Sequence, residues 1–219
     1  MIRIDKQSII KNKEVYNKWT QIPTEPELLR AIGEIKKRNI DVILVENKGE
    51  ALEKIKQLIP AKVSVMTGSS TTLYEIGFMD YYLSGQNPWI CLGPQVYGEK
   101  DFQKQLDLRR TAETADYFIA SVNAIAASGQ LVATDASGSR VSAYPFAAKN
   151  LILVAGIQKI TPNLEDAMKR IREYVYLIEN ERAIKAYGSP SAIGKWVIIE
   201  KEIIPHRIKL ILVREKLGF

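Results

Sequence analysis

Four hydroxyl side chains, Ser69, Ser70, Thr71 and Thr72, follow Gly68 without a gap. The run lies between an apolar stretch, Lys62–Met66, and a stretch with helical spacing. Glycine lets the backbone turn tightly there. The hydroxyls and the N–H groups that follow face whatever sits at the strand end, which suits a phosphate or carboxylate. The same residues also make an ordinary helix N-cap, with Glu75 completing a capping box to Thr72. The pattern is not a Walker loop, because no Gly-Lys-Ser/Thr follows, and the three-glycine dinucleotide spacing is absent.

A second group lies in "SVNAIAASGQLVATDASGSRVSAYP". Small residues at Ala124, Ala126, Ala127 and Gly129 allow close approach of backbone or ligand. Asn123 and Ser128 can hydrogen-bond a ligand, and Arg140 can clamp an anion. Asp135 and Arg140 equally suit a surface ion pair around a hairpin turn, which is worth little. Lys149 precedes an apolar run and could face the same strand ends, or merely flank them in water. Glu75 is the candidate catalytic carboxylate and Glu113 a further acid or base. Both also fit solvated helix faces, and one carboxylate alone makes no acid–base pair.

The chain of 219 residues has one cysteine, Cys91, and one histidine, His206. That excludes a disulfide framework and, within this chain, a Cys/His zinc site or an iron–sulfur cluster. No metal or cofactor is expected. His206, in "IIPHRIKL", reads as a turn residue before the last strand. The net charge of +6 is spread rather than blocked. It fits an anionic small ligand; no zinc finger or RNA-binding sheet motif marks nucleic acid as a partner. No apolar run reaches membrane-spanning length, and the N-terminus lacks a signal-peptide core, so the expected location is the cytoplasm with no membrane partner.

These groups need elements to carry them. Helical spacing is expected over residues 5–20, and a second helix starts at Thr24 with Pro26 in its first turn and Glu27 in a capping box. "DVILVE" (41–46) reads as a strand buried on both faces. A helix capped by Asn47 runs to about Leu58, and the strand Lys62–Met66 follows. Then come a short helix to about Leu83, a strand at "WICLG" and a polar helix over 101–115. Strands are expected near 117–121, 124–127, 129–134 and 140–142, partly antiparallel, and at "NLILVAG". Thr161 caps a long helix with Pro162 in first position, and two strands, "WVIIEKE" and "RIKLILVRE", close the chain. Strand–helix alternation argues for a parallel sheet. Residues 1–40 are expected to form a helical segment packed on an α/β domain of residues 41–219.

The stretch "ADYFIASVNAIAASGQLVATDASGSRVSAYPFAAKNLILVAGIQKITPNLEDAMKRIR" resembles the LUD domain, a family that includes lactate-utilization protein C. "TGSSTTLYEIGF" and the closing "RIKLILVREKLGF" are similar to further elements of that family. The resemblance covers roughly residues 22–219. It implies an α/β fold of the NagB/RpiA/CoA-transferase type: a Rossmann-like, mostly parallel sheet flanked by helices, with a small antiparallel insert. It implies an anion site with one wall from Gly68, Ser69, Ser70, Thr71 and Glu75, and another from Asn123, Ala124, Ser128 and Gly129. It also implies a part in oxidising L-lactate to pyruvate, with partner iron–sulfur subunits and possible homodimerisation. Two departures stand out. The segment 185–200 has no cysteines, and Ala127 stands where relatives often have glutamate. Two other readings remain: an isomerase or transferase acting on a phosphosugar or CoA ester, and a regulatory or assembly subunit without chemistry of its own.

Overall fold

In the computed structural model, which describes residues 4–219, the chain enters through α1 (Lys6–Ile9), α2 (Lys13–Thr20) and α3 (Glu25–Lys37). The first three residues of the expected N-terminal segment lie outside the described residues. The helix expected over 5–20 is two helices, because the Asn12 side chain accepts from Glu14 N and Val15 N and restarts the turn. The capping box of Thr24 and Glu27 starts α3 as expected.

The chain continues through β1 (Asp41–Val45), α4 (Lys48–Leu58), β2 (Ser64–Thr67), α5 (Thr71–Glu75), α6 (Phe78–Leu83) and β3 (Ile90–Cys91). Then follow α7 (Gly93–Gly98), α8 (Phe102–Ala112), β4 (Tyr117–Ala120), β5 (Ala124–Ala126), β6 (Leu131–Asp135) and β7 (Asn150–Gly156). The last elements are β8 (Ile160–Thr161), α9 (Leu164–Arg170), α10 (Tyr176–Tyr187), β9 (Lys195–Ile199) and β10 (Ile208–Val213). A π turn, Ile171–Val175, joins α9 to α10 in one long helix.

Six strands form a parallel sheet in the order β1-β10-β7-β4-β2-β3. Alternate residues of each strand enter opposite layers. Leu151, Leu153 and Ala155 join the layer that holds α3, through Leu28, Ile32 and Ile35. Ile152 and Val154 join the layer of α4, α5 and α6. A smaller mixed sheet runs β8-β5-β6-β9. Its Ala124 and Val132 pack with Trp19, Ile171 and Tyr174 of the helices.

Three local expectations are corrected. Among the described residues β1 is an edge strand that pairs only with β10, so four of its five residues are half-buried rather than buried on both faces. Residues 140–142 are not a strand. Asp135 accepts from Arg140 N and Gly138 O accepts from Ser142 N, which turns the chain into a short 3-10 helix, Val141–Ala143. Thr161 belongs to β8, and Asn163 caps the long helix by accepting from Asp166 N. No helix among the described residues is long and apolar enough to cross a membrane.

Candidate functional site

After β2 the chain moves one way across the sheet to β3, then returns to β4 on the other side of β2. The carboxyl ends of β2 and β4 therefore flank a switch point, the usual place for a ligand in an open α/β sheet. A cavity of about 520 Å³ opens there. Its walls come from the loop after β2, the loop after β4, the end of β6, the helices α8 and α10, and the segment 189–193.

The hydroxyl loop forms one wall. Ser70 Oγ accepts from Leu73 N and caps α5, while Gly68, Ser69, Thr71 and Thr72 also line the cavity. Gly68 is needed for packing: a Cβ there would lie 2.6 Å from Arg140 Cγ and Cδ. The Arg140 side chain therefore crosses the glycine, with Nη2 donating to Thr134 O at 2.6 Å and Nε 3.9 Å from Asp135. Tyr97 OH donates to Thr67 O and closes the same corner.

The floor is Lys159, 2% exposed. Its Nζ donates to Thr72 Oγ1 at 3.1 Å, Ser121 Oγ at 3.0 Å and Val122 O at 3.0 Å. Every one of those partners lines the cavity. Burial holds the ammonium well below the usual lysine range; the Arg170 charge pushes the same way, and Glu75 opposes them. Beside it the Tyr144 hydroxyl, pushed up to about 12 by burial, donates to Ser121 O at 2.7 Å.

Opposed to the cations is Glu113, 7% exposed at the end of α8. It accepts from Ser142 Oγ at 2.9 Å. Burial pushes its carboxyl up to about 7. Arg109 lies over the Tyr97 ring at 5.8 Å, and its buried Nε has no hydrogen-bond partner among the described residues. Arg182, in contrast, is held by Glu179 through two hydrogen bonds of 2.7 Å. Among the described residues, Arg109 and Lys159 are the lining cations that pair with no carboxylate.

Residues 217–219 lie over the Lys159 end. Gln158 clamps Leu217 by both its amide atoms, Glu75 accepts from Gly218 N at 2.6 Å, and Lys6 Nζ donates to Gly218 O at 2.5 Å. Gly218 has φ +63°, and a Cβ there would overlap Thr72 Oγ1 and lie 3.2 Å from Lys159 Nζ.

Of the residues expected from sequence, Gly68, Ser69, Ser70, Thr71, Asn123 and Arg140 meet at the cavity. Asn123 stitches β5 to β6 by accepting from Thr134 N. Glu75 is not on the cavity wall; it is half-buried behind it and spent on Gly218. Ala124 is buried in β5 and faces the helices. Ser128 and Gly129 sit in the far turn, where Ser128 O accepts from Arg38. Lys149 is exposed beside Asp116 at the amino end of β7, away from the carboxyl ends. Glu113 is not on a solvated face. Sequence reasoning passed over Lys159, although a lysine inside "GIQKIT" was a legible signal, because a charge within an apolar run needs a partner or a use.

No curated protein matches the sequence. A DUF162 family protein from Deinococcus radiodurans has a similar crystal structure, with a TM-score of 0.53, 14% identity, 87% of this chain covered and 99% of that one. The structure of eIF2B beta from Chaetomium thermophilum is a weaker match, with a TM-score of 0.35, 14% identity, 68% of this chain covered and 46% of that one. The first match supports the fold described above. The LUD domain family model matches residues 28–213, which takes in every strand and most of the cavity wall, and the chain belongs to the LUD domain family.

Proposed function

We propose that the cavity binds an anionic small metabolite, and that the chain serves the use of lactate or a related organic acid. The observation that carries this reading is the pair of cations, Arg109 and Lys159, that reach one hydroxyl-rich cavity without carboxylate partners among the described residues. An anion supplies the charge they lack, and the loop from Ser69 to Thr72 supplies neutral hydrogen bonds. The neutral form of Glu113, favoured below about pH 7, spares that anion a repulsive neighbour. Membership of the LUD domain family, which is related to lactate-utilization proteins, supports a hydroxy acid or its oxo product as that anion. The family resemblance implies partner iron–sulfur subunits for the lactate oxidation, and in this reading they hold the clusters that this chain's single cysteine cannot.

Glu113, not Glu75, is then the carboxyl group placed to move a proton. The test is a thermal-shift series with L-lactate, pyruvate, inorganic phosphate, a sugar phosphate and a CoA ester. A ligand at 100 times its Kd adds about 2.7 kcal/mol. The shift should disappear in Arg109→Ala and in the double variant Ser70→Ala/Thr71→Ala. No shift with any of these anions would overturn the reading. A shift confined to the sugar phosphate or CoA ester would replace the organic acid with the isomerase or transferase class.

A further inference from the structure

An acid as small as lactate fills little of a cavity of about 520 Å³, because cavities of that size enclose drug-sized ligands. Part of the wall is apolar: Ala183 of α10, Pro190 and Ile193 of the segment after it, and two tyrosine rings. Tyr97 is 46% exposed and Tyr187 66%, so both rings stand at the cavity mouth. The Tyr97 hydroxyl donates to Thr67 O at 2.9 Å and Arg109 lies over the ring, which holds it in one position. Tyr187 is the last residue of α10, where Gly188, at φ +72°, ends the helix by donating its N–H to Ile184 O. Burial holds the Tyr97 hydroxyl above its usual range; Arg109 opposes this, and Tyr187 and Glu113 add to it, so these groups share one corner. Neither ring pairs with another aromatic ring among the described residues. One exposed tyrosine is ordinary on a surface; two that line one cavity beside Arg109 make a platform for a flat ring.

From this arrangement we infer that the ligand is a hydroxy or oxo acid whose far end carries a planar aromatic ring. The inference deepens the anion reading above and rests on it. The carboxylate sits at Arg109 and the hydroxyl loop, and the ring lies against Tyr97 and Tyr187. Arg109 serves both ends. A guanidinium stacks by its flat face and donates from its edge. Its face lies over Tyr97, and the edge carries a buried Nε with no hydrogen-bond partner among the described residues. Aromatic rings gain from offset or edge-to-face contact beyond the area they bury, up to about tenfold in affinity for each pair. A methyl group in the place of the ring has no such face to offer. The rings at the mouth therefore set which acids bind tightly, while the cations and hydroxyls accept any of them.

The experiment is isothermal titration calorimetry of the full chain with L-lactate, phenyllactate, cyclohexyllactate and inorganic phosphate. Cyclohexyllactate carries an apolar ring that is puckered and has no π face. The expected result is that phenyllactate binds at least about tenfold tighter than either lactate or cyclohexyllactate. Tyr187→Ala, at an exposed position, should bring the ratio of phenyllactate to lactate affinity towards one. Equal affinity for phenyllactate and lactate would overturn the inference while leaving the anion reading intact. So would a ratio that Tyr187→Ala does not move, or cyclohexyllactate bound as tightly as phenyllactate, since the gain would then need no aromatic contact. No binding of any of the acids or of phosphate would remove both readings. If Tyr187→Ala fails to fold, the three acids on the unaltered chain still decide.

Discussion

Glu113→Gln should make the protein more stable at pH 8 and leave it nearly unchanged at pH 4.5. The folded carboxyl is pushed from an ordinary value of 4.5 to about 7, chiefly by burial. Below about pH 4.5 both folded and unfolded chains carry the proton, so the group is neutral to folding. Between 4.5 and 7 the folded chain holds a proton that the unfolded chain has released. Stability therefore falls as pH rises through this window, and above it the whole penalty is present. The full difference corresponds to about 3 kcal/mol. The carboxyl borders an open cavity, so solvent screening reduces this to about 1–2 kcal/mol. Glutamine keeps the acceptor for Ser142 and has no charge to desolvate. Urea unfolding of both proteins at pH 4.5, 6 and 8 measures the difference. A gap that is constant with pH, or a glutamine variant weaker at pH 8, would refute the reasoning.

Gly218→Ala should loosen residues 217–219. The left-handed φ of +63° strains any other residue, and the new Cβ would overlap Thr72 Oγ1. A loss of roughly 1–3 kcal/mol is expected, read as a lower Tm with faster proteolysis near the chain's last residues. Arg207→Met should be worse. Arg207 Nε meets Glu202 at 2.7 Å, and its other nitrogens bond Tyr144 O and Ala148 O, all buried. Leaving Glu202 without its partner should cost about 3–5 kcal/mol in urea unfolding, and the double variant Arg207→Met/Glu202→Gln should recover part of it.

What could be read from sequence was local or periodic. The Thr24–Glu27 box, the Asn47 cap and the apolar runs of β7 and β10 follow from near neighbours, and each stands where expected. Strand–helix alternation placed the hydroxyl loop at the carboxyl end of a parallel strand, but the switch point beside it depends on strand order, which pairs strands far apart in the chain. Other parts depended on distant partners. Ser128 and Gly129 follow Asn123 closely in sequence, yet β5 carries the chain roughly 10 Å away before the turn. Glu113 looked solvated because its helix is polar, but Ser142, far along the chain, covers it. The charge of Lys159 inside an apolar run is visible in the sequence, but its place on the cavity floor is not. Its hydroxyl partners are 38 and 87 residues away, and no periodicity reports such a meeting.

The π turn between α9 and α10 sets a reading frame for the cavity. A π turn holds one residue more than an α turn, and one residue on an α-helix corresponds to a rotation of about 100°. Tyr176, Glu179 and Ala183 reach the cavity downstream of that extra residue. Removing one residue from Ile171–Val175 would give a regular, uninterrupted helix. It would also swing those three side chains off the wall while sparing every strand. Among relatives, a single-residue gap at this point would thus mark a changed binding specificity in a protein whose fold is unaltered.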